Sequence, residues 1–363
     1  MSDKNTYDAI VIGSGISGGW AAKEFTEKGF KTLLVEKGRD VQHIKDYPTA
    51  NQFPWEFPHR GQLPLEVKKQ YAAIGDHYAL KEDQVHFFLK DEEQEYVADK
   101  PFSWIRGDQV GGRSLLWARH TQRWSDFDFE GPLRDGFAVD WPIRYKDLEP
   151  WYTYVEKFAG IAGNRDGLAN LPDGHFLPPF EMTCAEKHLK TNVEQNYPGR
   201  NIISARIANL STPTQVQLDQ GRGQCQRRNL CGRGCPFGGY FSTNSATLPA
   251  ALKTGNLSLL TDTIVHSLIF DEQKNKVTGI RTINRKTNQT NEYFANVFFV
   301  NASAIATNLL LLNSKSGRFP NGLGNDSGVL GKFVAFHNYR GHINASFNGL
   351  QDQTTSGRTP GSS

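Results

Sequence analysis

YDAIVIGSGISGGWAAKEFTEKGFKTLLVE, residues 7–36, decides how this chain folds. Tyr7 to Ile12 is a β-rich run, Gly15 to Lys28 carries apolar residues at helical offsets (Ile16 with Trp20, Ala21 with Phe25), and Lys31 to Glu36 is a second apolar run. Together they make a βαβ unit. Gly13-Ser14-Gly15-Ile16-Ser17-Gly18 sits where the first strand passes into the helix, the context that gives a GxGxxG pattern its meaning. Gly13 permits the tight turn, Gly15 lets the backbone approach a pyrophosphate, and Gly18 lets helix and strand pack closely. The helix N-terminus aims unsatisfied N–H groups at the anion. Ser14 belongs to the same candidate set, and Glu36, ending the second strand, is the acid such a unit places on a ribose hydroxyl. The plainer alternative is a Gly-rich turn with no ligand. FAD and NAD present the same adenosine diphosphate half. No second GxGxxG follows a strand, which favours a flavoprotein oxidising its substrate directly over a reductase with a separate nicotinamide domain.

The 363 residues suggest two or three structural units, and 38% hydrophobic with 22% charged residues is the mixture of a folded, soluble protein. A net charge of +3, scattered along the chain, argues against a nucleic-acid or anionic-membrane partner. MSDKNTYDAI lacks the basic segment and apolar region of a secretory signal. The expected location is therefore cytoplasmic, or periplasmic by co-export with a partner subunit. Val297 to Leu312 is interrupted by Asn301, Ser303 and Asn308 and falls short of the roughly 20 apolar residues that span a bilayer, so no intrinsic membrane segment is expected.

Gly38 to about Lys100, rich in Pro, aromatics and charge, reads as an insertion. A helix is predicted from Tyr145 to Ala159, with Trp151, Tyr154, Val155 and Phe158 on its apolar face, and Ala162 to Glu181 reads as loop. Three runs, Thr263 to Phe270, Lys276 to Ile283 and Tyr293 to Val300, predict an antiparallel meander followed by a helix from Ala304 to Leu312. QDQTTSGRTPGSS at the end has the composition of a flexible tail.

Three blocks carry a family likeness: residues 7–38, then Val110-Gly111-Gly112-Arg113-Ser114-Leu115-Leu116-Trp117, then WPIRYKDLEPWY. Together, from Tyr7 to about His337, they resemble the glucose-methanol-choline (GMC) oxidoreductases, FAD-dependent enzymes acting on CH-OH groups of alcohols and sugars. The likeness implies an α/β fold: a Rossmann-type FAD-binding domain with a discontinuous, incomplete α+β substrate domain. The FAD-binding domain is expected at 1–45, 100–130 and 215–340, and the substrate or cap region at 46–99 and 131–214. Residues 341–363 would start a second substrate segment or form a tail. The resemblance lays Gly111, Gly112 and Ser114 along the flavin with Trp117 nearby, counts Arg106 in the cofactor set, and puts a strand with Val265 over the adenine side. Residues without Cβ suit a backbone lying flat against an isoalloxazine ring. Otherwise Gly111-Gly112 would be a surface turn and Val265 a core residue. Some sugar oxidases of the family attach FAD through a His just before that Trp; here Leu116 stands there, so FAD should be non-covalent.

Cys225, Cys231 and Cys235 crowd into GRGQCQRRNLCGRGCPFGG, while Cys184 stands apart. Three thiolates on a Gly-rich loop can surround one inorganic cluster, Pro236 follows the last Cys as in bacterial ferredoxin runs, and Arg222, Arg227, Arg228 and Arg233 could offset its charge. Zinc would want a fourth ligand, and no His lies in the segment. Free structural thiols are the plainer reading. Three close ligands suit a [3Fe-4S] cluster, or a [4Fe-4S] cluster with a non-Cys fourth ligand. The family's iron-sulfur branch, bacterial FAD-dependent glucose and glucoside dehydrogenases, carries cysteines at this same spacing, which implies a cluster, expected as [3Fe-4S], on Cys225, Cys231 and Cys235.

The expected function is then a dehydrogenase: FAD takes a hydride from a sugar or glycoside carbinol, and the iron-sulfur centre passes electrons to an external acceptor such as a cytochrome, with a small partner subunit. An oxygen-reducing alcohol or sugar oxidase is the first alternative, and an inactive FAD-binding fragment or pseudoenzyme the second. The family's catalytic His lies in a carboxy-terminal segment that has no counterpart before Ser363, so the chain looks C-terminally truncated and inactive alone. His337, in DSGVLGKFVAFHN, matches a mid-chain family element rather than the base, and His120 and His342 read as ordinary polar residues.

Overall fold

A computed structural model describes residues 5–75, 77–100, 102–334, 346 and 348–349. His337, His342 and nearly all of 341–363 lie outside them. The described residues fall into two compact units, one drawn from Met1–Trp117, Gly232–Gly234 and Ser242–Arg340, the other from Ala118–Cys231, Cys235–Phe241 and Gly341–Ser363.

The first unit is built on a four-stranded parallel sheet in the order β3 (Leu257–Leu260), β2 (Thr32–Val35), β1 (Ala9–Ile12), β7 (Val297–Val300). β1 and β2, AIVI and TLLV, are buried at every position, as parallel strands covered on both faces must be. Alternation sends Val11 and Leu34 to one face, against Ala21 and Ala22 of α1 (Ile16–Glu27) and Leu248 and Ala251 of α7 (Leu248–Lys253). Ile10, Ile12, Leu33 and Val35 face the other way. They pack with Leu268 and Ile280 of a second sheet and Leu310 of α8 (Ala304–Asn313).

That second sheet is antiparallel: β4 (Thr263–Asp271), β5 (Lys276–Asn284) and β6 (Thr290–Phe294). The meander expected from sequence is therefore corrected at its third member. Thr290–Phe294 completes the antiparallel sheet, whereas Val297–Val300 pairs in parallel with β1. Period-two patterning identifies a strand but not its partner. Among the described residues, the segment between β2 and residue 100 contributes only α2 (Leu65–Lys69) and short 3₁₀ turns, and Tyr71, Ile74, Ala79 and Phe88 of this segment build a satellite core.

The second unit holds α3 (Asp126–Arg134), α4 (Tyr145–Ala159), α5 (Cys184–Asn196) and α6 (Gln215–Asp219), with a core of Ala162, Leu177, Phe180, Ile207 and Leu210. α4 has the predicted ends but not the predicted face: Trp151, Tyr154 and Val155 are exposed, while Glu156 and Ala159 are buried. Glu156 receives Arg123 Nε at 2.8 Å and Nη2 at 2.6 Å, with the His175 N–H at 2.7 Å. A charge so fully partnered can be buried, and it turns the helix by its own face. Among the described residues no helix is long and apolar enough to cross a membrane.

Candidate dinucleotide site and cysteine loop

At the end of β1 the chain turns at Gly13, whose φ of +94° favours glycine and whose missing Cβ would fall 2.5 Å from the Asn301 carbonyl oxygen. A Cβ on Gly18 would lie 1.7 Å from the Gly13 carbonyl oxygen, so helix and turn can meet only through glycine. Gly15, the N-cap of α1, is different: nothing lies within 4 Å of where its Cβ would be. It borders open space beside the unsatisfied N–H groups of the helix.

Ser14, fully buried, organises the cradle. Its N–H and Oγ both reach Glu36 Oε2, at 3.0 and 2.6 Å, and its Oγ accepts the Gly111 N–H at 3.0 Å. Glu36 Oε1 accepts the Gly38 N–H at 2.8 Å. The glycine turn, the acid ending β2 and the Gly111-Gly112 segment thus meet at one hydroxyl. Gly111 and Gly112 have φ of +86° and +47° and open the 3₁₀ turn Gly112–Leu115. A Cβ on Gly112 would face Gly15 Cα at 3.6 Å, but one on Gly111 would run into the Asn244 carboxamide, 1.8 Å from Oδ1. Gly111 is therefore required by protein packing, not only by a ring lying against it. Ser114 is buried and its Oγ accepts the Thr243 N–H at 3.1 Å, while Trp117 is half-buried where the unit ends. Val265 packs in the cluster that contains Ile12 and Val35.

Arg106 is not brought into this cradle. Its guanidinium is held by Asp91 (3.1 Å) and the Gln94 carbonyl and stacks on Trp104 and Tyr96, inside the 91–106 region. Conversely, sequence reading missed Thr243 and Asn244. They lie on a buried π-helix, Thr243–Thr247, where Thr243 Oγ1 donates to the Gly15 carbonyl at 3.1 Å and Asn244 Nδ2 to the carbonyls of Val41 and Val110. The run TNSAT ahead of Leu248-Pro249 carries no signal beyond its small polar residues.

In the second unit the Cys225 Sγ receives Asn209 Nδ2 at 3.8 Å and the Cys235 Sγ receives the Gly239 N–H at 3.3 Å. Burial is the main cause that pushes the Cys225 thiol up, with Cys231 and Cys235 adding to it. Arg222 is buried, its Nε and Nη1 donating to the carbonyls of Gly238 and Ala159, and burial lowers its pKa to about 9. Its Nη2 has no partner among the described residues. Arg233 is a different case from the counter-charge expected of it: its Nε pairs with buried Asp83 at 2.7 Å and its Nη1 donates to the Gln52 carbonyl. Among the described residues no group of three His, Cys, Asp or Glu side chains is arranged to hold a metal ion. As placed, the three thiols do not form such a group.

Compared with known proteins, residues 7–337 match the family model described as GMC oxidoreductase. The chain is 26% identical over 338 residues to 6'''-hydroxyparomomycin C oxidase of Streptomyces lividus, covering 90% of this chain and 53% of that one. It is 25% identical over 344 residues to the fructose dehydrogenase large subunit of Gluconobacter japonicus, covering 91% and 58%. Pyridoxine 4-oxidase from Mesorbium loti is a similar solved structure, at TM-score 0.49 and 18% identity, with 85% of this chain and 51% of that one covered. The chain spans about half the length of the curated relatives it matches. With a family match reaching over nine-tenths of its length, from Tyr7 through the glycine cradle and the cysteine loop, the chain belongs to the GMC oxidoreductases.

Proposed function

We propose that this chain is the FAD-holding part of an enzyme that oxidises a sugar or glycoside hydroxyl to a carbonyl. The observation that carries the reading is the cradle in which Ser14 joins Glu36 to Gly111 while Gly15 borders open space. When bound, FAD supplies the two-electron acceptor for the hydride. The residues then divide the work of holding it. Gly15 and the N–H groups of α1 receive the pyrophosphate. Glu36 keeps acceptor capacity for a ribose hydroxyl on Oε1, which among the described residues takes only the Gly38 N–H. Gly112 and Ser114 line the flavin side and Val265 the adenine side. Leu116 has no nitrogen to bond the flavin, so FAD is held non-covalently. Burial, with Arg119 adding to it, lowers the pKa of His120.

The finer reading adds a [3Fe-4S] cluster on Cys225, Cys231 and Cys235, onward transfer to an external acceptor, and a small partner subunit. It is supported by the cysteine spacing, by the N–H groups directed at two of the sulfurs, and by the buried Arg222 that has no carboxylate among its hydrogen-bond partners. Iron analysis of anaerobically purified protein tests it. About three iron atoms per chain, with loss in Cys231→Ser but not in Cys184→Ser, are expected. Iron-free protein, with or without zinc, overturns it. The enzymatic reading is tested on the full-length gene product: anaerobic glucose or a glucoside should bleach bound flavin, with electrons recovered on a one-electron acceptor. Stoichiometric peroxide in air would instead identify an oxidase, and flavin untouched by any sugar or alcohol would leave only a binding protein.

A further inference from the structure

Asn244 is almost wholly buried on the π-helix Thr243–Thr247. Both of its carboxamide hydrogens are used, on the Val41 carbonyl at 2.7 Å and the Val110 carbonyl at 3.0 Å. Its Oδ1 has no hydrogen-bond partner among the described residues and occupies the space where a side chain on Gly111 would begin. Val110 and Gly111 are adjacent, so one carboxamide fixes the carbonyl on one side of the Gly111 α-carbon and blocks the other. The neighbouring Thr243 adds two ties from the same turn, its N–H to Ser114 Oγ and its Oγ1 to the Gly15 carbonyl.

We propose that Asn244 is the positioning residue of the Gly111-Gly112 segment, holding it in the geometry that the flavin end of FAD requires. The inference rests on the FAD reading above and extends it to a residue outside the cradle's glycines. Asn244 acts through Val41, Val110 and Gly111 and touches neither Glu36 nor the glycine turn through any hydrogen bond of its side chain. The adenosine half of the site therefore has its own supports, namely Ser14 and Glu36.

ADP and FAD separate the two halves. In the wild-type chain both bind. In Asn244→Leu, which keeps the size but removes both donors, ADP affinity should stay within about twofold while FAD affinity falls at least about tenfold. Gly111→Ala, which pushes the carboxamide off its carbonyls and strains a backbone at φ +86°, should lower FAD affinity as well. In an Asn244→Ala background the steric part of the Gly111→Ala effect should vanish, leaving the smaller cost of an alanine at φ +86°. Should Asn244→Leu fail to fold, the smaller Asn244→Ser reads the same ratio. Equal loss of ADP and FAD in these variants would reduce Asn244 to a general packing residue, and wild-type FAD affinity in them would overturn the proposal outright. Wild-type protein that binds neither nucleotide would instead sink the FAD reading itself.

Discussion

The Ser14 hydroxyl gives its hydrogen to Glu36 Oε2 at 2.6 Å, and the same oxygen receives the Gly111 N–H. A residue between two motif glycines, with no assigned duty in the motif, thus joins the phosphate turn, the acid of β2 and the flavin-side segment. Ser14→Ala removes both contacts and leaves a buried N–H unpaired, a loss of about 1–3 kcal/mol. Thermal unfolding should shift downward and FAD should bind more weakly. Unchanged melting and affinity would show that the hydroxyl joins nothing of consequence.

Gly15 and Gly18 should fail in opposite ways. Gly18→Ala puts a methyl 1.7 Å from the Gly13 carbonyl oxygen, and a backbone so constrained yields only at about 1–3 kcal/mol or more. Gly15→Val meets no protein atom near its Cβ, so the flavin-free chain should melt like wild type while losing FAD. Parallel melting curves and FAD titrations of the two variants check this, and a large stability loss in Gly15→Val would contradict it.

How much of this was readable in advance depends on the range of the interaction. β1, α1 and β2 were legible because GxGxxG and two apolar runs lie within thirty residues of one another and each specifies its own conformation. The length of α4 was legible from the same kind of local pattern. Its face was not, because Glu156 is buried by Arg123, a partner outside any helical window. Likewise β7 reads as a strand, yet its pairing with β1 joins residues almost three hundred positions apart. Within the site, the glycines announced themselves, whereas Asn244 is an ordinary residue given its importance by two distant carbonyls. Arg233 looked like a counter-charge by proximity in sequence; Asp83 claims it in space.

Ser303 caps α8 with φ +72° and ψ 163°, a region that essentially only glycine occupies without strain. A non-glycine there costs about 1–3 kcal/mol. Ser303→Gly should release that strain, less the roughly 0.5–1 kcal/mol of added unfolded-state entropy that glycine brings. The urea midpoint should rise. A fall would mean that the Ser303 side chain contributes more than its backbone geometry costs.

His86 supplies a pH signature. Burial, with Arg39 adding to it, lowers its pKa from 6.5 to about 4, against a smaller opposite pull from Asp83. The fold therefore favours the neutral ring. The stabilisation is complete above pH 6.5, where folded and unfolded chains are both neutral here, and is lost as the pH falls toward 4 and the unfolded chain takes up the proton. His86→Phe removes this linkage, so between pH 7 and pH 5 it should lose less stability than wild type, by on the order of 1–2 kcal/mol. Identical pH slopes in denaturant titrations would count against a buried neutral ring.

The central claim, that the Gly13–Gly18 turn with Ser14, Glu36 and Gly111 forms a non-covalent FAD site, is tested most directly by titrating the flavin-free chain with FAD while following flavin fluorescence, alongside Gly15→Val. Saturation at about one FAD per wild-type chain, complete release of the yellow colour on acid or heat denaturation, and no uptake by Gly15→Val are the expected results. No uptake by the wild type, equal uptake by Gly15→Val, or flavin carried down with the precipitated protein would contradict it.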